Sequence, residues 1–175
     1  WFSSVTGPVS DMFHIYPTDG KVNGLRSNYP YGNVSTASWT SLNGSKLGIS
    51  SDLGYSSTVF EPIDEYKGDL ARGFFYMSTR YFSEDGSWSF SDATNKSDIL
   101  PWEVNVLLQW HHDDPVSAKE IARNDSIYYR FQHNRNPFID NPQWADSIWK
   151  VDLTLFVKDN ELKNAFSIFP NPAVD

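Results

Sequence analysis

Side chains that can bind a metal ion or a phosphate are concentrated near the start of the chain, in residues 11–28, which read DMFHIYPTDGKVNGLRSN. This stretch holds a histidine, His14, together with the amide of Asn23 and the basic side chain of Arg26. Proline, glycine, asparagine and aspartate are also the residues that form turns most often. From composition alone, the stretch is therefore interpreted as a turn-rich loop with a short helix within residues 21–28.

The other histidines form two clusters, and neither pattern favours a metal site. Residues 111–114 read His-His-Asp-Asp, but neighbouring side chains on a helix point about 100° apart and do not chelate one ion easily. Residues 133–136 read His-Asn-Arg-Asn, which suits phosphate contact, although a loop whose amides bond to the backbone is the favoured interpretation. His14 lies on an apolar run and is more often a core histidine than a base, with Asp11 or Asp19 able to orient it.

The composition indicates one globular domain and argues against several classes of protein. The chain has 175 residues, of which 39% are hydrophobic and 16% aromatic, enough to build a packed core. Its formal net charge of -8 counts against a nucleic-acid-binding protein unless basic residues cluster locally. The absence of cysteine excludes disulfides, thiolate metal sites and a thiol nucleophile. No apolar run reaches the roughly 18 residues that a membrane-spanning helix needs.

The main helix is predicted over residues 60–82. Its apolar residues recur every three or four positions, which predicts a buried stripe of Ile63, Tyr66, Leu70, Phe74, Met77 and Tyr81. Gly68 and Gly73 each cost about 1 kcal/mol relative to alanine in a helix, so a close-packed neighbour is expected at both. Arg72 and Asp64 lie roughly opposite the stripe, which predicts a solvated face.

The remaining elements are shorter. Residues 35–50 are predicted to form a β-hairpin, because an Asn-Gly pair at its centre tolerates the positive φ angles of a tight turn. Helices are predicted over residues 101–111, from a Ser-Ala-Lys-Glu capping box at 117–120 to about residue 132, and over 141–149. The first of these helices is expected to bury Val104, Leu107 and Leu108. Residues 151–157 alternate enough to form a strand or an extended segment.

Three segments of the chain carry a resemblance to a known family. They are DMFHIYPTDGKVNGLRSNYPYG at 11–32, FEPIDEYKGDLARGFFYMSTRY at 60–81 and NRNPFIDNP at 134–142. In this order they resemble the bacterial endonuclease I family, secreted or periplasmic nucleases of the ββα-metal (His-Me finger) group. The resemblance covers most of residues 10–145. It implies an α+β fold of the ββα-metal type, in which a mostly helical body carries a small β-hairpin region.

The resemblance also implies a nuclease that hydrolyses DNA, RNA or both with Mg²⁺. In the family, a histidine activates water, and a metal held by an acidic residue and an asparagine stabilises the scissile phosphate and the leaving oxygen. The asparagine of the family's Val-Asn-Gly step corresponds to Asn23, and a neutral amide oxygen is a suitable ligand for a hard cation. The candidates for phosphate contact are Lys21, Arg26, Lys67, Arg72 and Arg80.

These assignments imply a particular placement of side chains. If Asn23 is a metal ligand, its side-chain oxygen should face a solvent-accessible cleft. Because phosphate binding needs positive charge, at least two of four cations should surround that cleft: Lys21, Arg26, Arg72 and Arg80.

The chain departs from the family pattern at the general base. The family's base lies in an Arg-Glu-His segment upstream of the piece that matches Asp11, and this sequence contains no Glu-His pair. The family's segment is followed after a few residues by Trp-Phe, as at the start of this chain, so the base and one metal ligand are expected upstream of Trp1. The fallback is that His14 serves as the base. The alternative function is a secreted binding or structural module that keeps the fold without catalysis, which the acidic pI favours.

The resemblance also suggests how the chain is organised. An endonuclease I-like domain is expected over residues 1–157 and a linker over 158–165. Residues 166–175, FSIFPNPAVD, resemble the start of a type IX secretion sorting domain. The protein is therefore expected to be secreted or held at the cell surface, to act as a monomer and to have no membrane span.

Overall fold

The computed structural model describes residues 8–150, and these form a mostly helical body with a small sheet, the α+β class that the sequence predicts. The helices in this range are α1 Gly20–Arg26, α2 Lys67–Arg80, α3 Pro101–Asp113, α4 Ala118–Ile127, α5 Pro137–Asp140 and α6 Trp144–Trp149. The strands are β1 Val34–Thr40, β2 Lys46–Ser50, β3 Thr58–Glu61, β4 Thr94–Asn95 and β5 Asp98–Ile99. Shorter helical turns occur at Pro8–Ser10, Met12–His14, Asp64–Tyr66 and Tyr128–Gln132.

The predicted β-hairpin is confirmed, and a third strand extends it. β1 and β2 pair antiparallel, and the turn between them contains Gly44 with a φ angle of 102°. β3 pairs antiparallel with the other edge of β2, so that Leu47 lies opposite Phe60. Val59 and Phe60 are buried, which joins this edge of the sheet to the core.

The main helix begins later than its apolar pattern predicts. A 3-10 turn at Asp64–Tyr66 precedes α2, and residue 60 belongs to β3, so the prediction of a helix from residue 60 is wrong. The N–H of Phe60 donates to the carbonyl of Pro30 at 2.9 Å, a partner far away in the sequence. A short apolar run fits a buried strand as well as a helix, and this long-range pairing decides for the strand.

The predicted stripe of α2 is only partly buried. Met77 and the following Tyr81 are buried, but the rest of the stripe is partly exposed: Ile63, Tyr66, Leu70 and Phe74. The other side of the helix is the better covered one. Phe75 stacks on Trp149 at 4.5 Å between ring centroids, and Tyr76 packs on Phe13 at 4.6 Å. Because both faces of α2 carry apolar residues, periodicity alone does not identify the inner one.

Arg72 lies on this inner face, so the prediction of a solvated position is wrong. Its side chain is 1% exposed, and its Nε and Nη2 donate to the two carboxylate oxygens of Glu120 at 2.6 and 2.7 Å. Nη1 donates to the carbonyl of Asp114 at 2.9 Å, and it lies 3.3 Å from the ring of His111. Asp69 is 3.5 Å away. These partners occupy the N–H donors of the guanidinium, so Arg72 is not placed to bind a phosphate.

Gly68 and Gly73 have the close-packed neighbours that the sequence predicts. A Cβ atom at Gly68 would lie 2.0 Å from the carbonyl oxygen of Asp114, and one at Gly73 would lie 2.9 Å from the carbonyl oxygen of Phe13. The two glycines therefore allow α2 to approach the end of α3 and the turn at Met12–His14.

The middle helices agree well with prediction. α3 begins at the predicted proline and buries all three predicted residues: Val104, Leu107 and Leu108. Ser117 and Glu120 form the predicted capping box. The backbone N–H of Glu120 donates to the Ser117 hydroxyl at 3.2 Å, and the backbone N–H of Ser117 donates to the Glu120 carboxylate at 3.0 Å. After α4, a π-helical turn continues to Gln132, the predicted end.

The last two helices, α5 and α6, differ in detail from the prediction. α5 is a single helical turn where a loop is predicted, and Asn136 caps it by accepting the N–H of Phe138 at 2.9 Å. α6 starts at Trp144, two residues after the predicted Pro142. The predicted strand at 151–157, and the two segments that follow it, lie outside the described residues. None of the helices in residues 8–150 is long and apolar enough to cross a membrane.

Candidate functional site

A cleft of about 640 Å³ lies between α1 and the first turns of α2. One wall is α1 with the loop at residues 27–31. The other wall is the partly exposed part of the predicted stripe: Ile63, Tyr66, Leu70 and Phe74. The lining also includes His14, residues 16–18 and 91–94, Asn43, Ser45, Phe60 and Pro62. The face of α2 that its periodicity assigns to the core is therefore largely a wall of this cleft.

α1 presents two polar side chains to the cleft. The helix begins where Asp19 caps it, since the carboxylate accepts the N–H groups of Lys21 and Val22 at 2.9 and 3.1 Å. Asn23 and Arg26 both line the cleft. Residues three apart are neighbours on a helix surface, so the amide and the guanidinium start from the same side of α1.

Asn23 lies in the kind of position that the sequence predicts, exposed and at the cleft rather than in the core. A single amide is only part of a metal site, because Mg²⁺ is usually held by one or two carboxylates together with water or phosphate oxygens. Among residues 8–150, no group of three or more histidine, aspartate or glutamate side chains could hold a metal ion. The described residues thus fit one ligand position of a metal site, and the role of Asn23 as a ligand stays a prediction.

Arg26 is the only one of the four predicted cations that lines the cleft, so the expectation of two or more is not met. Its guanidinium lies over the ring of Tyr31, 4.6 Å from the centroid, and its Nη1 donates to the carbonyl of Ser27 at 2.9 Å. Its Nε is buried and has no hydrogen-bond partner within the described part of the chain. A buried donor without an acceptor is costly, and an anion bound to the guanidinium would reduce this cost.

The other predicted cations lie elsewhere. Lys21 is exposed on α1 but does not line the cleft. Arg80, at the end of α2, pairs with Glu84 at 2.8 Å. Lys67 is held by two carboxylates at 2.7 and 2.9 Å. Contact of these three with nucleic acid stays a prediction, whereas the burial of Arg72 contradicts such a contact.

His14 lines the same cleft and is partly exposed. Burial lowers the pKa of His14 below its ordinary value, and the guanidinium of Arg123 acts in the same direction, while the Asp11 carboxylate opposes both. The imidazole is therefore neutral near neutral pH, the form in which a histidine accepts a proton.

Asp11 fixes the turn that carries the cleft histidine. Its carboxylate accepts the N–H of Phe13 at 2.9 Å and the hydroxyls of Tyr76 and Tyr81 at 2.7 and 2.9 Å. Burial raises the pKa of both tyrosines, and their hydrogen bonds to Asp11 raise it further, so both hydroxyls stay protonated donors. The tyrosines lie 65 and 70 positions away from Asp11, and no local sequence signal connects them to it.

Glu103 is a buried carboxyl group that the sequence analysis misses. Neither of its carboxylate oxygens has a hydrogen-bond partner in the part of the chain that the structure describes. Burial and the Asp52 carboxylate raise the pKa of Glu103 well above its usual range, against the opposing effect of the Arg26 guanidinium. Glu103 therefore keeps its proton to a higher pH than an exposed glutamate does. In its neutral form it does not compensate the positive charge of Arg26.

Asp69 belongs to the buried charge cluster behind the α2 wall. The pKa of Asp69 is raised to about 7. Burial makes the largest contribution and the Glu120 carboxylate adds to it, while the Arg72 guanidinium opposes the shift. The hydroxyl of Tyr16, a residue of the cleft lining, donates to the backbone carbonyl of Asp69 at 2.8 Å. Tyr16 therefore connects the cleft lining to the backbone of α2 beside this cluster.

We expect the stability of the protein to fall as the pH rises through the range in which Asp69 ionises. Between about pH 4 and pH 7 the native state binds a proton at Asp69 that the unfolded chain has released, so the free energy of unfolding decreases with pH. Asp69→Asn removes this ionisation and should flatten the decrease. Urea unfolding across this pH range measures the effect, with the exposed Asp98→Asn as control. Parallel profiles for the parent and Asp69→Asn would contradict the assignment.

The two histidine clusters are structural in this fold. The ring of His111 lies between the Arg72 guanidinium and the carbonyl of Pro142, and His112 contacts Asp146 at 3.0 Å. The loop interpretation of residues 133–136 is confirmed, because its polar side chains bond to neighbouring protein groups. Asn136, for example, donates to the carbonyl of Arg72 at 2.9 Å.

Comparison with known proteins adds independent information about this chain. Residues 1–143 match the sequence profile of the family described as Endonuclease I. The chain is 42% identical over 151 residues to an extracellular ribonuclease of Bacillus amyloliquefaciens, a match that covers 85% of this chain and 49% of the relative. Identity to an extracellular ribonuclease of Bacillus subtilis (strain 168) is 40% with the same coverage.

More distant similarity extends to another group of bacteria. The chain is 28% identical over 130 residues to Endonuclease-1 of Buchnera aphidicola subsp. Baizongia pistaciae, which covers 74% of this chain and 46% of that relative. The chain thus spans about half the length of the curated relatives that it matches. No solved structure gave a significant match.

Proposed function

The chain belongs to the endonuclease I family, and we propose that its cleft binds a nucleic acid whose phosphodiester bonds the protein hydrolyses. The observation that carries this proposal is the placement of Asn23 and Arg26 on one side of α1, both at the cleft. An amide oxygen suits a hard cation, and a guanidinium suits a phosphate. Phosphodiester hydrolysis depends on such charge stabilisation and on positioning.

The two residues have different roles in this proposal. Arg26 binds a phosphate oxygen of the substrate, and the amide oxygen of Asn23 supplies one ligand to a divalent cation. A bound cation, Mg²⁺ by the resemblance, neutralises charge on the phosphate and the leaving oxygen. Hydrolysis forms a bond from a water oxygen to phosphorus and breaks the bond from phosphorus to the leaving oxygen.

The proton of the attacking water requires a base. In the family pattern this base is the histidine of an Arg-Glu-His segment. His14 is the alternative within the chain, and its position at the cleft and its lowered pKa support it. Activity of the 175-residue chain that is lost in His14→Ala would assign the base to His14. Activity that survives this substitution would exclude His14 as the base.

A second candidate is a secreted module that binds its ligand without cleaving it. The formal net charge of -8 favours this candidate, as does the finding that Arg26 alone of the four predicted cations lines the cleft. The two candidates differ in whether phosphodiester bonds are broken.

Cleavage assays on the protein as its gene encodes it decide between them. With Mg²⁺ we expect cleavage of both supercoiled plasmid DNA and single-stranded RNA. Charge stabilisation of a phosphate depends neither on the sugar nor on the nucleobase attached to it. EDTA should abolish cleavage and excess Mg²⁺ should restore it, since the cation carries part of that stabilisation. Intact DNA and RNA after incubation with Mg²⁺, Mn²⁺ or Ca²⁺ would reject the enzyme and favour the binding module.

We further propose that the protein acts outside the cell as a monomer. The extracellular ribonucleases of two Bacillus species support export, and so does the resemblance of residues 166–175 to a sorting domain. The nuclease-like domain at 1–157 and the linker at 158–165 belong to the same proposal.

A further inference from the structure

The turn that follows α4 exposes three aromatic side chains beside an arginine. Tyr128, Tyr129 and Phe131 are 38%, 72% and 61% exposed, and Arg130 is exposed as well. The aromatic residues of the core, such as Phe75, are buried by comparison. A cluster of exposed aromatic rings on one turn is typical of an interaction surface.

This turn is held in place by polar contacts rather than by burial of its rings. The side-chain amide of Gln132 accepts the N–H of Met12 at 2.9 Å and donates to the carboxylate of Asp11 at 3.0 Å. His133 ends the turn in a left-handed conformation with φ of 56°, and its ring lies 2.9 Å from the carbonyl of Tyr128. The turn is π-helical, a conformation that occurs often at functional sites.

The same contacts place the turn next to the cleft. Gln132 bonds to Met12, and Met12 shares a 3-10 turn with His14, which lines the cleft. Two residues of a 3-10 helix span about 4 Å along its axis. The backbone of this turn therefore lies close to the part of the cleft that His14 lines.

The charges around the turn favour an anionic partner. Arg130 forms no ion pair with any residue between positions 8 and 150. The nearby carboxylates of Asp125 and Asp140 are both paired with Arg135 at 2.7 Å. Arg135 compensates one of these two negative charges, and Arg130 adds a further positive charge to this part of the surface. A guanidinium without an ion pair is a suitable contact for a phosphate, despite the acidic composition of the chain.

We propose that Tyr129, Arg130 and Phe131 form a subsite for an unpaired segment of nucleic acid, an inference that rests on the proposed nuclease function. Arg130 lies between the two aromatic residues in the chain, and all three side chains are exposed on the same turn. A phosphate bound to Arg130 would bring the adjacent bases to the two rings. Every base has a face that stacks on an aromatic ring, and this face is accessible only when the base is unpaired. The subsite selects single strands and loops over duplex, without a sequence preference.

Binding without cleavage tests this subsite. In EDTA, fluorescence anisotropy with a labelled oligo-dT of about 15 nucleotides, and with its duplex, gives the two Kd values. The double variant Tyr129→Ala/Phe131→Ala should raise the Kd for the single strand about 10-fold or more, because stacking is lost, and change the duplex Kd far less. Arg130→Gln should weaken binding of the single strand. It should also lower the slope of log Kd against the logarithm of the salt concentration by about 0.7, the loss of one phosphate contact. Phe82→Ala/Phe90→Ala, at residues 64% and 73% exposed, is the matched control.

The outcomes separate this subsite from the nuclease function. Unchanged single-strand binding in the double variant overturns the subsite, even if the protein cleaves nucleic acid. Selective loss of that binding supports the subsite, even if no cleavage is found. A change from dimer to monomer in the double variant, with oligonucleotide binding intact, would instead make the turn a self-association surface and overturn the proposal. Equal thermal unfolding midpoints of parent and variants confirm that folding is unaffected.

Discussion

Asn23→Ala is expected to lower the rate of phosphodiester hydrolysis by on the order of 100-fold or more, since loss of an outer-shell partner of a metal alone costs about 10–100-fold. The substitution removes a ligand oxygen of the cation in the proposed site. Asn23 is exposed, and alanine is a better helix former than asparagine, so the thermal unfolding midpoint should stay the same or rise slightly. Initial cleavage rates of plasmid and RNA, with the protein as its gene encodes it, measure the change in hydrolysis. Thermal unfolding measures the change in the midpoint.

Asn105→Ala is the matched control, because Asn105 is an exposed helical asparagine on α3 that does not line the cleft. It should leave the rate unchanged and, like Asn23→Ala, keep the unfolding midpoint the same or raise it slightly. Higher Mg²⁺ concentrations should recover part of the activity of Asn23→Ala, since the lost ligand weakens cation binding. Cleavage at the parental rate by Asn23→Ala would remove Asn23 from the site. It would also remove the main local support for the nuclease proposal.

Arg72→Met is expected to lower the free energy of unfolding by about 3–5 kcal/mol, because it leaves a buried carboxylate without its partner. Typical domains have about 5–15 kcal/mol in total, so much of the stability would be lost. Glu120 is 5% exposed, and both of its oxygens accept hydrogen bonds from Arg72. Urea unfolding near neutral pH measures the change. Activity per folded molecule should change far less, since Arg72 does not reach the cleft lining.

Arg80→Met in the same helix provides the control for this prediction. Arg80 and Glu84 are 44% and 57% exposed, and an exposed ion pair contributes about 0–1 kcal/mol. Adding Glu120→Gln to Arg72→Met removes the uncompensated charge and should recover part of the lost stability. If Arg72→Met were as stable as Arg80→Met, the buried network would not support the fold. A selective loss of nucleic-acid binding in Arg72→Met would restore its predicted role as a phosphate contact.

Several features of the fold follow from short-range chemistry and were predictable. The hairpin turn at Gly44 needs a positive φ angle, and the Asn-Gly pair allows it. The capping box of Ser117 and Glu120 links groups only three positions apart. Asn23 could be assigned through the resemblance, and its exposure follows from its place on a short polar helix at the surface.

The partners of charged and polar side chains were not predictable in the same way. Arg72 has the sequence context of a solvated helix face, yet it is buried because Glu120, 48 positions later, supplies a matching carboxylate. Tyr81 belongs to the predicted buried stripe, whereas Tyr76 does not, and the hydroxyls of both meet Asp11 only in the folded chain.

Local sequence patterns account for the caps, the turns and the polar stretch that lines the cleft, because each depends on residues within one or two turns of each other. The α+β class followed from the family resemblance. Packing between distant segments settled which face of α2 is buried, that residues 58–61 form β3, and that Arg26 rather than Arg72 reaches the cleft. These outcomes depend on contacts between segments tens of residues apart. Because hydrophobic burial is non-directional, an apolar residue does not by itself specify which segment will cover it. A local pattern records that a residue can be buried, and the packing of distant segments determines whether it is.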